Sequence, residues 1–573
     1  MRCPFLQENV MTPDTAWKKG ERYEGTVTEV RFPDKGVVET KEQAGHCIVK
    51  HTLPGQRVAF AVKKRRGVNA EGRLLEVLEP SPAEMESDCP HAGSCGGCSY
   101  RTLPYEEQLR LKEGQVFALL KEFADGSVFL PILASPVTEG FRNKMEFSFG
   151  DSRKDGPLEL GLHARGSFYD VITVTDCRIV DEDYRAILRA TVDFFREKKI
   201  PFYHKLRHEG VLRHLLVRKA AYTGEILIDL VTTSEFAGAG DGGVTEEVLT
   251  SYVNLLTGLK LDGKIVGILH TKNDALSDSI RDDGTDVLFG TDHFDDRILG
   301  LMFRITPFSF FQTNTRSAEV LYDTVRKMVR RHTGLNNSVI YDLYSGTGTI
   351  AQLLAPVASE VIGVEIVEEA VEAARLNAER NGLHNCTFIA GDVLKVLDEI
   401  TQKPDLIVLD PPRDGVHPKA LPKIISYGVP GIVYISCKPT SLARDLPAFL
   451  DAGYRVECVQ PLDQFPFSSH VETVALLSKL SEAKHFVNVK VEMDEMDVTC
   501  AESKATYREI AEWVQENYGL HVSNLSIAQV KQKYGIIERE NYNKPKSPDS
   551  KQPGTSDMRI KAIEEAMRHF QMI

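Results

Sequence analysis

Seven short apolar runs alternate with helical stretches in the second half of this chain. The runs cover residues 339–343, 361–365, 386–390, 406–409, 432–435, 454–459 and 471–477. Parallel strands are buried on both faces by the helices that connect them, so this alternation is typical of a doubly wound parallel sheet. We therefore predict a Rossmann-like α/β domain over residues 305–481, in which the last strands form an antiparallel edge.

Two of these runs end beside chemically reactive side chains. Asp410 directly follows the fourth run, and Cys437 follows the fifth run after one serine. Ligands of open α/β sheets bind at the carboxyl ends of the strands, so both side chains should face one site. A buried core cysteine is the alternative for Cys437. Its place at a strand end, with Pro439 close behind, favours a reactive thiol.

A turn with two glycines, Gly346 and Gly348, follows the first run. These glycines permit a tight turn and a close approach of the backbone to a ligand. Glu365 and Asp392 stand at the ends of the next two runs, at the expected positions of a ribose diol and an adenine ring. The third glycine of a dinucleotide fingerprint and the lysine of a P-loop are both missing. This series, which continues to Asp410, favours S-adenosylmethionine over NAD.

Residues 15–81 predict a small five-stranded barrel of the OB type. Alternating strands at 23–30, 36–39, 47–50, 56–62 and 73–78 are separated by turn residues. Four consecutive cations lie on the predicted tip of a hairpin: Lys63, Lys64, Arg65 and Arg66. A solvated loop is the simplest interpretation of such a run, but its place on a barrel favours a patch that binds phosphates. This segment resembles a TRAM domain, a small RNA-binding module.

Three of the ten cysteines crowd into the pattern Cys89-x5-Cys95-x2-Cys98. The glycines between them let three thiolates converge on one centre, and Cys177 is the best-placed fourth ligand. Four thiolates suit either zinc or a [4Fe–4S] cluster. Zinc sites usually pair two Cys-x2-4-Cys knuckles and this chain has one, so we favour the iron–sulfur cluster. Three buried cysteines without a ligand are the remaining alternative.

Residues 82–304 predict a central α+β domain that holds the cysteine cluster and helps to form a substrate groove. A helical pattern covers residues 105–123, and residues 145–149 alternate like a half-buried strand. Arg142 and Lys144 should lie at the mouth of this strand, where they can contact phosphates.

Residues 482–573 predict a small α+β tail of unknown role. A strand is expected at 487–493 and helices at 506–518, 526–534 and 558–570, with a polar linker over 544–556.

The length and charge of the chain limit its class and its partners. A chain of 573 residues is too long for one core and suggests roughly three to four domains. No apolar run reaches the roughly 20 residues of a membrane span, and no signal peptide precedes the barrel. We therefore expect a cytoplasmic monomer without a membrane partner. The net charge of −13 argues against a general polyanion binder, so contacts to RNA must rest on local basic patches.

Seven motifs in fixed order resemble the RNA uracil-5-methyltransferase family of bacterial ribosomal and transfer RNA. They are Cys89-x5-Cys95-x2-Cys98, Phe141-Arg142-Asn143-Lys144, Phe311-Gln312-x-Asn314, Asp342-Leu343-Tyr344-x-Gly346-x-Gly348, Asp410-Pro411-Pro412-Arg413, Ser436-Cys437-x-Pro439 and His470-Val471-Glu472-Thr473. The resemblance covers residues 18–480. Lys438 and Ser345 depart from the pattern of many relatives, and neither replaces a group that the chemistry needs.

The resemblance implies a role for each residue of the site. Cys437 is the nucleophile and Glu472 the general base. S-adenosylmethionine is held by four matching positions, with Asp392 as an additional contact: Gln312, Tyr344, Glu365 and Asp410. The implied substrate is a uridine in structured RNA, with 23S ribosomal RNA as the first expectation and transfer RNA as the second.

The chemistry of uracil agrees with these roles. C5 of uracil is a poor nucleophile, and a thiolate that adds to C6 activates it toward a methyl donor. A general base must then remove the C5 proton so that the thiol can leave. The target base must also be flipped out of its stack into the pocket.

Three other functions remain as alternatives. An RNA cytosine-5 methyltransferase usually carries a second cysteine motif near the Asp-Pro-Pro loop, and none occurs here. A radical S-adenosylmethionine enzyme would need a Cys-x3-Cys-x2-Cys loop, which this sequence lacks. A catalytically silent iron–sulfur RNA-binding protein would not need Cys437 and Glu472.

Overall fold

The computed structural model describes residues 16–234, 243–334, 338–400, 402–479, 507–534 and 557–569. The chain divides into two compact units, Met1–Glu482 and Ala483–Ile573. No helix in the described ranges is long and apolar enough to cross a membrane.

A closed five-stranded barrel forms the N-terminal part of the first unit, as the sequence predicted. Its strands are β1 (Arg22–Arg31), β2 (Lys35–Glu39), β3 (Cys47–Val49), β4 (Arg57–Arg66) and β5 (Asn69–Glu79). They follow the order β1-β2-β3-β5-β4, and β1 closes the barrel by pairing with β4. Trp17, Val38 and Phe60 are among the side chains that fill its interior.

The four cations lie at the turn end of the hairpin formed by β4 and β5. Residues 63–66 are the last residues of β4, and Arg66 pairs with Asn69 of β5 across the turn at Gly67. The strand is longer than the predicted 56–62, because its pairing with β5 continues up to the turn.

A seven-stranded mixed sheet forms the central part of this unit. The first helix, α1 (Tyr105–Leu120), precedes it. The sheet and its neighbours comprise β6 (Lys144–Gly150), β7 (Glu159–His163), β8 (Val171–Thr173), α2 (Glu182–Lys198), β9 (Leu212–Lys219), β10 (Glu225–Thr232), α3 (Glu246–Thr257), β11 (Lys264–Lys272) and β12 (Thr285–Gly290). The strand order is β12-β11-β10-β9-β6-β7-β8. Side chains of α2 and α3, such as Phe195 and Tyr252, share one core with Phe147 and Leu215 of the sheet.

A hairpin and a second seven-stranded sheet complete the first unit. The hairpin is β13 (Phe294–Ile298) and β14 (Leu301–Ile305). The elements that follow are α4 (Thr315–Thr333), β15 (Val339–Leu343), α5 (Thr349–Leu354), β16 (Glu360–Glu365), α6 (Glu368–Arg380), β17 (Cys386–Ala390), α7 (Val393–Glu399), β18 (Leu406–Leu409), α8 (Ala420–Ser426), β19 (Gly431–Ser436), α9 (Pro439–Asp451), β20 (Tyr454–Leu462) and β21 (Glu472–Lys479). The sheet has the order β17-β16-β15-β18-β19-β21-β20.

The topology of this second sheet determines where a ligand can bind. Its first five strands are parallel, and β21 runs antiparallel to both β19 and β20, which confirms the predicted edge. The strand order reverses between β15 and β18, and crevices at such reversals are the usual ligand sites of open α/β sheets.

The central strands of this sheet are buried on both faces. Val408 and Val433 contribute to one hydrophobic cluster, whereas Ile407 and Ile432 contribute to another. Val116 and Leu120 of α1 also belong to the second cluster. Although α1 falls within the range that we assigned to the central domain, it therefore packs against the Rossmann-like sheet.

The second unit contains three helices in its described residues. They are α10 (Tyr507–Tyr518), α11 (Asn524–Lys533) and α12 (Asp557–His569), which lie within two residues of the predicted bounds. Ile510, Val514, Ile527 and Ile563 are among the buried residues of their shared core. The strand predicted at 487–493 and the linker at 544–556 lie outside the described residues.

Candidate active site

Cys437 and Glu472 meet at one edge of the Rossmann-like sheet. In the antiparallel pair of β19 and β21, Ser436 lies opposite Thr473. The same register continued by one residue places Cys437 opposite Glu472. Asp410 follows β18, the parallel neighbour of β19, so its backbone ends at this edge as well. The topology thus joins a thiol and two carboxyl groups from three different strands.

The electrostatics of this edge disfavour negative charge. Burial and the nearby Asp410 raise the pKa of Glu472 to about 8, while Arg413 acts to lower it. Burial also raises the pKa of Asp410 to about 7. The pKa of the Cys437 thiol rises to about 11, because of burial and the two carboxylates, while Arg413 acts to lower it. A cationic ligand would relieve this repulsion, and the sulfonium of S-adenosylmethionine is such a cation.

The turn after β15 leaves room for a ligand against its backbone. Tyr344, Gly346 and Gly348 all have positive φ angles, of 68°, 53° and 73°. A Cβ on Gly348 would lie 2.5 Å from the ring of Phe388, so this position requires glycine. A Cβ on Gly346 would meet no described atom within 4 Å. Gly346 therefore presents an open space, as expected where a cofactor lies against the chain.

Glu365 is held in a fixed orientation beside this turn. Its Oε2 accepts a hydrogen bond from the Gly346 N–H at 3.0 Å. Its Oε1 accepts from the N–H groups of Ile366 and Val367 at 2.8 and 3.0 Å. Asp392 has a structural role of its own, because its Oδ1 accepts from the Leu394 N–H at 3.0 Å and caps α7.

Gln312 is tied to the central sheet through its backbone. Its carbonyl oxygen accepts a hydrogen bond from Asn143 Nδ2 at 2.9 Å, and the same amide donates to Thr315 Oγ1. Burial and the nearby Asp410 raise the pKa of Tyr322, while the Gln312 side chain acts to lower it. The Phe141-Arg142-Asn143-Lys144 motif therefore holds the backbone at Gln312 through its asparagine.

Arg142 and Lys144 already have partners within the protein. Arg142 is half-buried, its Nε donates to the Lys144 carbonyl at 3.1 Å, and burial lowers its pKa. Lys144 Nζ forms an ion pair with Glu146 at 2.7 Å. A phosphate would have to compete with these contacts.

Cys89, Cys95, Cys98 and Cys177 line one small cavity. Burial and the neighbouring thiols raise the pKa of Cys98 to about 12 and that of Cys177 to about 11. Arg101 and Arg165 also line the cavity, and cations there would offset the charge of thiolate ligands. No group of three or more histidine, cysteine or acidic side chains in the described residues is placed to hold a metal ion. The four thiols share one cavity, and a four-thiolate centre there stays a prediction.

Comparison with known proteins identifies the family. Residues 281–480 match the model of the tRNA (uracil-5-)-methyltransferase family. An RNA methyltransferase of Clostridium tetani, described as uncharacterized, is 46% identical over 465 residues, which cover 81% of this chain and 99% of the relative. A second, from Caldanaerobacter subterraneus, is 47% identical over 80% of this chain and 99% of its own.

This chain belongs to the tRNA (uracil-5-)-methyltransferase family. It is therefore an RNA methyltransferase, and RNA is its substrate class.

A solved structure supports both the fold and the methyl donor. Pyrococcus abyssi tRNA (uracil-54, C5)-methyltransferase in complex with S-adenosyl-L-homocysteine matches with a TM-score of 0.60 and 25% identity. The match covers 79% of this chain and all of that one. The fold is thus a mixed α/β methyltransferase fold, and S-adenosylmethionine is the donor that the family and this complex support.

The basic run on the methyltransferase's barrel is partly engaged within the protein. Arg65 Nε donates to the Gly67 carbonyl at 2.9 Å, and Arg66 forms an ion pair with Glu71 at 2.6 Å. Lys63 and Lys64 are exposed. These two lysines are the better candidates for contact with RNA.

Two site residues received no role from the sequence. Arg413 is the cation that lowers the pKa of both Cys437 and Glu472, although only its motif was noted. Asp342 is fully buried, and its Oδ1 has no hydrogen-bond partner among the described residues. The sequence signal that could have singled out Asp342 was an acidic residue within an apolar run just before the glycine turn. For Arg413 the signal was its position three residues after Asp410.

Proposed function

We propose that this enzyme methylates C5 of a uridine in structured RNA through a covalent adduct between Cys437 and C6 of the uracil. The observation that carries the proposal is the register of β19 and β21, which sets Cys437 opposite Glu472 beside Asp410. A thiol and a carboxylate on the two sides of one base are the groups that this reaction needs.

In the first step Cys437 attacks as its thiolate. The pKa of about 11 means that the thiol is protonated in the free enzyme at neutral pH. Positive charge beside the thiol lowers this pKa, and Arg413 and a bound sulfonium both supply it. The sulfur forms a bond to C6, and the C5=C6 electron pair moves toward the C4 carbonyl. C5 thereby becomes nucleophilic.

S-adenosylmethionine supplies an electrophilic methyl group, which C5 takes while the donor sulfur keeps the bonding electrons. Glu472 in its ionised form then accepts the proton from C5. The electrons of that C–H bond restore C5=C6, the C6–S bond breaks, and Cys437 leaves as the thiolate. A base with a pKa of about 8 is half-ionised near pH 8, which suits proton transfer close to neutral pH.

The donor would be held by residues on three sides of the crevice. Gly346 and Gly348 offer the backbone of the turn, with Tyr344 beside them. Glu365 is oriented for a ribose diol by three N–H groups. The remaining contacts that we propose are Gln312, Asp392 and Asp410.

A [4Fe–4S] cluster bound by Cys89, Cys95, Cys98 and Cys177 is a further part of the proposal. Its support is the common cavity of the four thiols and the three arginines that line it, Arg101, Arg165 and Arg178. For RNA we propose contacts at Lys63–Arg66 on the barrel and at Arg142 and Lys144 near the site.

We also retain the division of the chain into a TRAM-like barrel, a central domain, the methyltransferase domain and a tail. The proposed bounds are 15–81, 82–304, 305–481 and 482–573.

We propose 23S ribosomal RNA as the first target. Transfer RNA is the second candidate, since the Pyrococcus relative acts on uracil 54 of tRNA. Purified enzyme should be incubated with unmodified 23S RNA or tRNA transcripts and methyl-labelled donor, followed by digestion to nucleosides. We expect label in 5-methyluridine with the wild type and none with Cys437→Ala, which should still bind the donor. Label in 5-methylcytidine, or equal activity of the variant, would refute the proposal.

A further inference from the structure

The loop that leads to Glu472 is held by a segment next to the cysteine cluster. We call residues 463–471, between β20 and β21, the base loop, and residues 99–112, directly after Cys98, the anchor segment. The two are more than 350 positions apart in sequence, yet they are linked by hydrogen bonds, one ion pair and a ring contact.

The contacts concentrate on Phe467 of the base loop. The N–H groups of Ser99 and Tyr100 both donate to its carbonyl oxygen, at 2.8 and 2.9 Å. Its own N–H donates to Gln108 Oε1 at 2.9 Å. The Arg101 guanidinium lies 4.0 Å from the centre of its ring. Three backbone hydrogen bonds and a cation–π contact thus fix one residue.

The backbone of Phe467 needs this support. Its φ angle is 64°, a left-handed conformation that is unfavourable for a bulky residue. Such conformations persist only where the surrounding structure determines them. The anchor segment therefore does not merely touch the loop but selects its backbone path five residues before Glu472.

A buried ion pair holds the start of the same loop. Lys112 Nζ lies 2.6 Å from Asp463 Oδ1, and both side chains are completely buried. The same ammonium donates to the Phe465 carbonyl at 3.1 Å. Removal of one partner from such a pair would leave an unpaired buried charge, so the pair fixes the register of the loop against α1.

We propose that the anchor segment is a positioning element of the methyl-transfer reaction, in which Arg101 and Gln108 hold the base loop so that Glu472 reaches the C5 proton. The inference rests on the proposed role of Glu472 as the base. Neither Arg101 nor Gln108 touches the reacting atoms, and both contact Phe467. Arg101 also pairs with Asp88 and Glu139 and lines the cysteine cavity, so Gln108 is the more selective probe of the base loop. Removal of either side chain should slow the elimination step and spare the steps that precede it, because Cys437 lies at the end of β19 and not on the base loop.

The test is a single-turnover reaction that separates methyl transfer from release of Cys437. Enzyme, RNA and methyl-labelled donor are mixed and quenched in detergent at intervals, and labelled RNA is divided into free and protein-bound fractions. Arg101→Met and Gln108→Leu are the test variants. Arg110→Met is the matched control, since Arg110 lies on the same helix as Gln108 with a 70% exposed side chain.

With Arg101→Met and Gln108→Leu we expect methyl incorporation at the wild-type rate but release slowed by roughly ten- to a hundredfold, so that labelled protein-bound RNA accumulates. Arg110→Met should match the wild type, and Arg101→Lys should recover part of the release rate. If Arg101→Met fails to fold, or if the two variants disagree, Gln108→Leu decides, because Arg101 also lines the cysteine cavity. Unchanged release, or an equal fall in methyl incorporation and release, overturns the proposal.

Glu472→Gln separates this inference from the proposed function. If Glu472→Gln accumulates labelled adduct and the two anchor variants do not, the positioning role alone is wrong. If Glu472→Gln accumulates no adduct, Glu472 is not the base and the inference falls with that assignment.

Discussion

Replacement of Glu472 by glutamine should stabilise the fold at alkaline pH and leave its stability unchanged at acidic pH. Glu472 is 5% exposed, and burial is the first cause of its raised pKa. A carboxyl group with a raised pKa favours the folded state below its ordinary pKa, and this contribution is lost as pH rises through the folded value. Glutamine has nearly the same shape and never acquires the charge.

The size of the effect follows from the two pKa values. The pKa of Glu472 rises from 4.5 to about 8. At about 1.4 kcal/mol for each pH unit, the ionised side chain costs the fold at most about 5 kcal/mol. The variant and the wild type should therefore be equally stable near pH 4.5 and diverge up to pH 8, where the gain reaches a few kcal/mol.

Urea unfolding at a series of pH values between 5 and 9 measures this difference. The spectroscopic signal should follow the unfolding of the Rossmann-like sheet itself, because a chain of several domains need not unfold in one step. Glu457→Gln is a control with a flat profile, since the hydrogen bond from Ser478 and the nearby Arg455 lower the pKa of Glu457. The stability that this carboxylate contributes is complete above its ordinary pKa and is lost only as pH falls below it. The difference in stability between this variant and the wild type should therefore stay nearly constant between pH 5 and 9. A Glu472→Gln gain that is constant with pH, or falls as pH rises, would refute the reasoning.

Three further predictions concern the barrel, the cysteine cavity and the thiol. Replacement of residues 63–66 by alanine should weaken RNA binding and make it less dependent on salt. The slope of the logarithm of the binding constant against the logarithm of the salt concentration should fall by about 0.7 for each phosphate that the variant no longer neutralises. An unchanged slope would mean that the run contacts only solvent. Cys177→Ser should lower the iron content of anaerobically purified protein while Cys458→Ser should not, and stoichiometric zinc in the wild type would contradict the cluster assignment. Arg413→Met should raise the pKa of Cys437 further and slow its alkylation at pH 8, as measured by mass spectrometry of the Cys437 peptide; faster alkylation would show that Arg413 does not favour the thiolate.

The local sequence pattern was enough to predict that Asp410 and Cys437 lie at the ends of strands. Both residues follow short, fully buried strands. A continuous apolar run bounded by turn residues predicts such a strand from the local sequence alone. The barrel was predictable for the same reason, since turns punctuate its strands. The pairing of Cys437 with Glu472 was not predictable from pattern, because the order of an antiparallel edge is a property of the whole sheet. The family resemblance supplied it.

Contacts between distant segments were not predictable at all. Lys112 lies on a helix rich in charged residues, where a lysine is normally assigned to solvent, yet it is buried against Asp463. Asn143 joins the central sheet to Gln312 across 169 positions. The strand before the basic run was predicted to end at residue 62, whereas its pairing with β5 extends it to Arg66. Polarity marks exposure and does not distinguish an exposed strand from a loop.

Trapping the enzyme on RNA that carries 5-fluorouridine tests the covalent route to C5 most directly. Fluorine at C5 cannot leave as a proton does, so the reaction should stop after methyl transfer with the base still bound to the protein. Intact mass under denaturing conditions should equal enzyme plus RNA plus one methyl group, and peptide mapping should locate the link at Cys437. Cys437→Ala should give no adduct. An adduct without the methyl group, a link at another residue, or efficient methylation with no covalent species would contradict the mechanism.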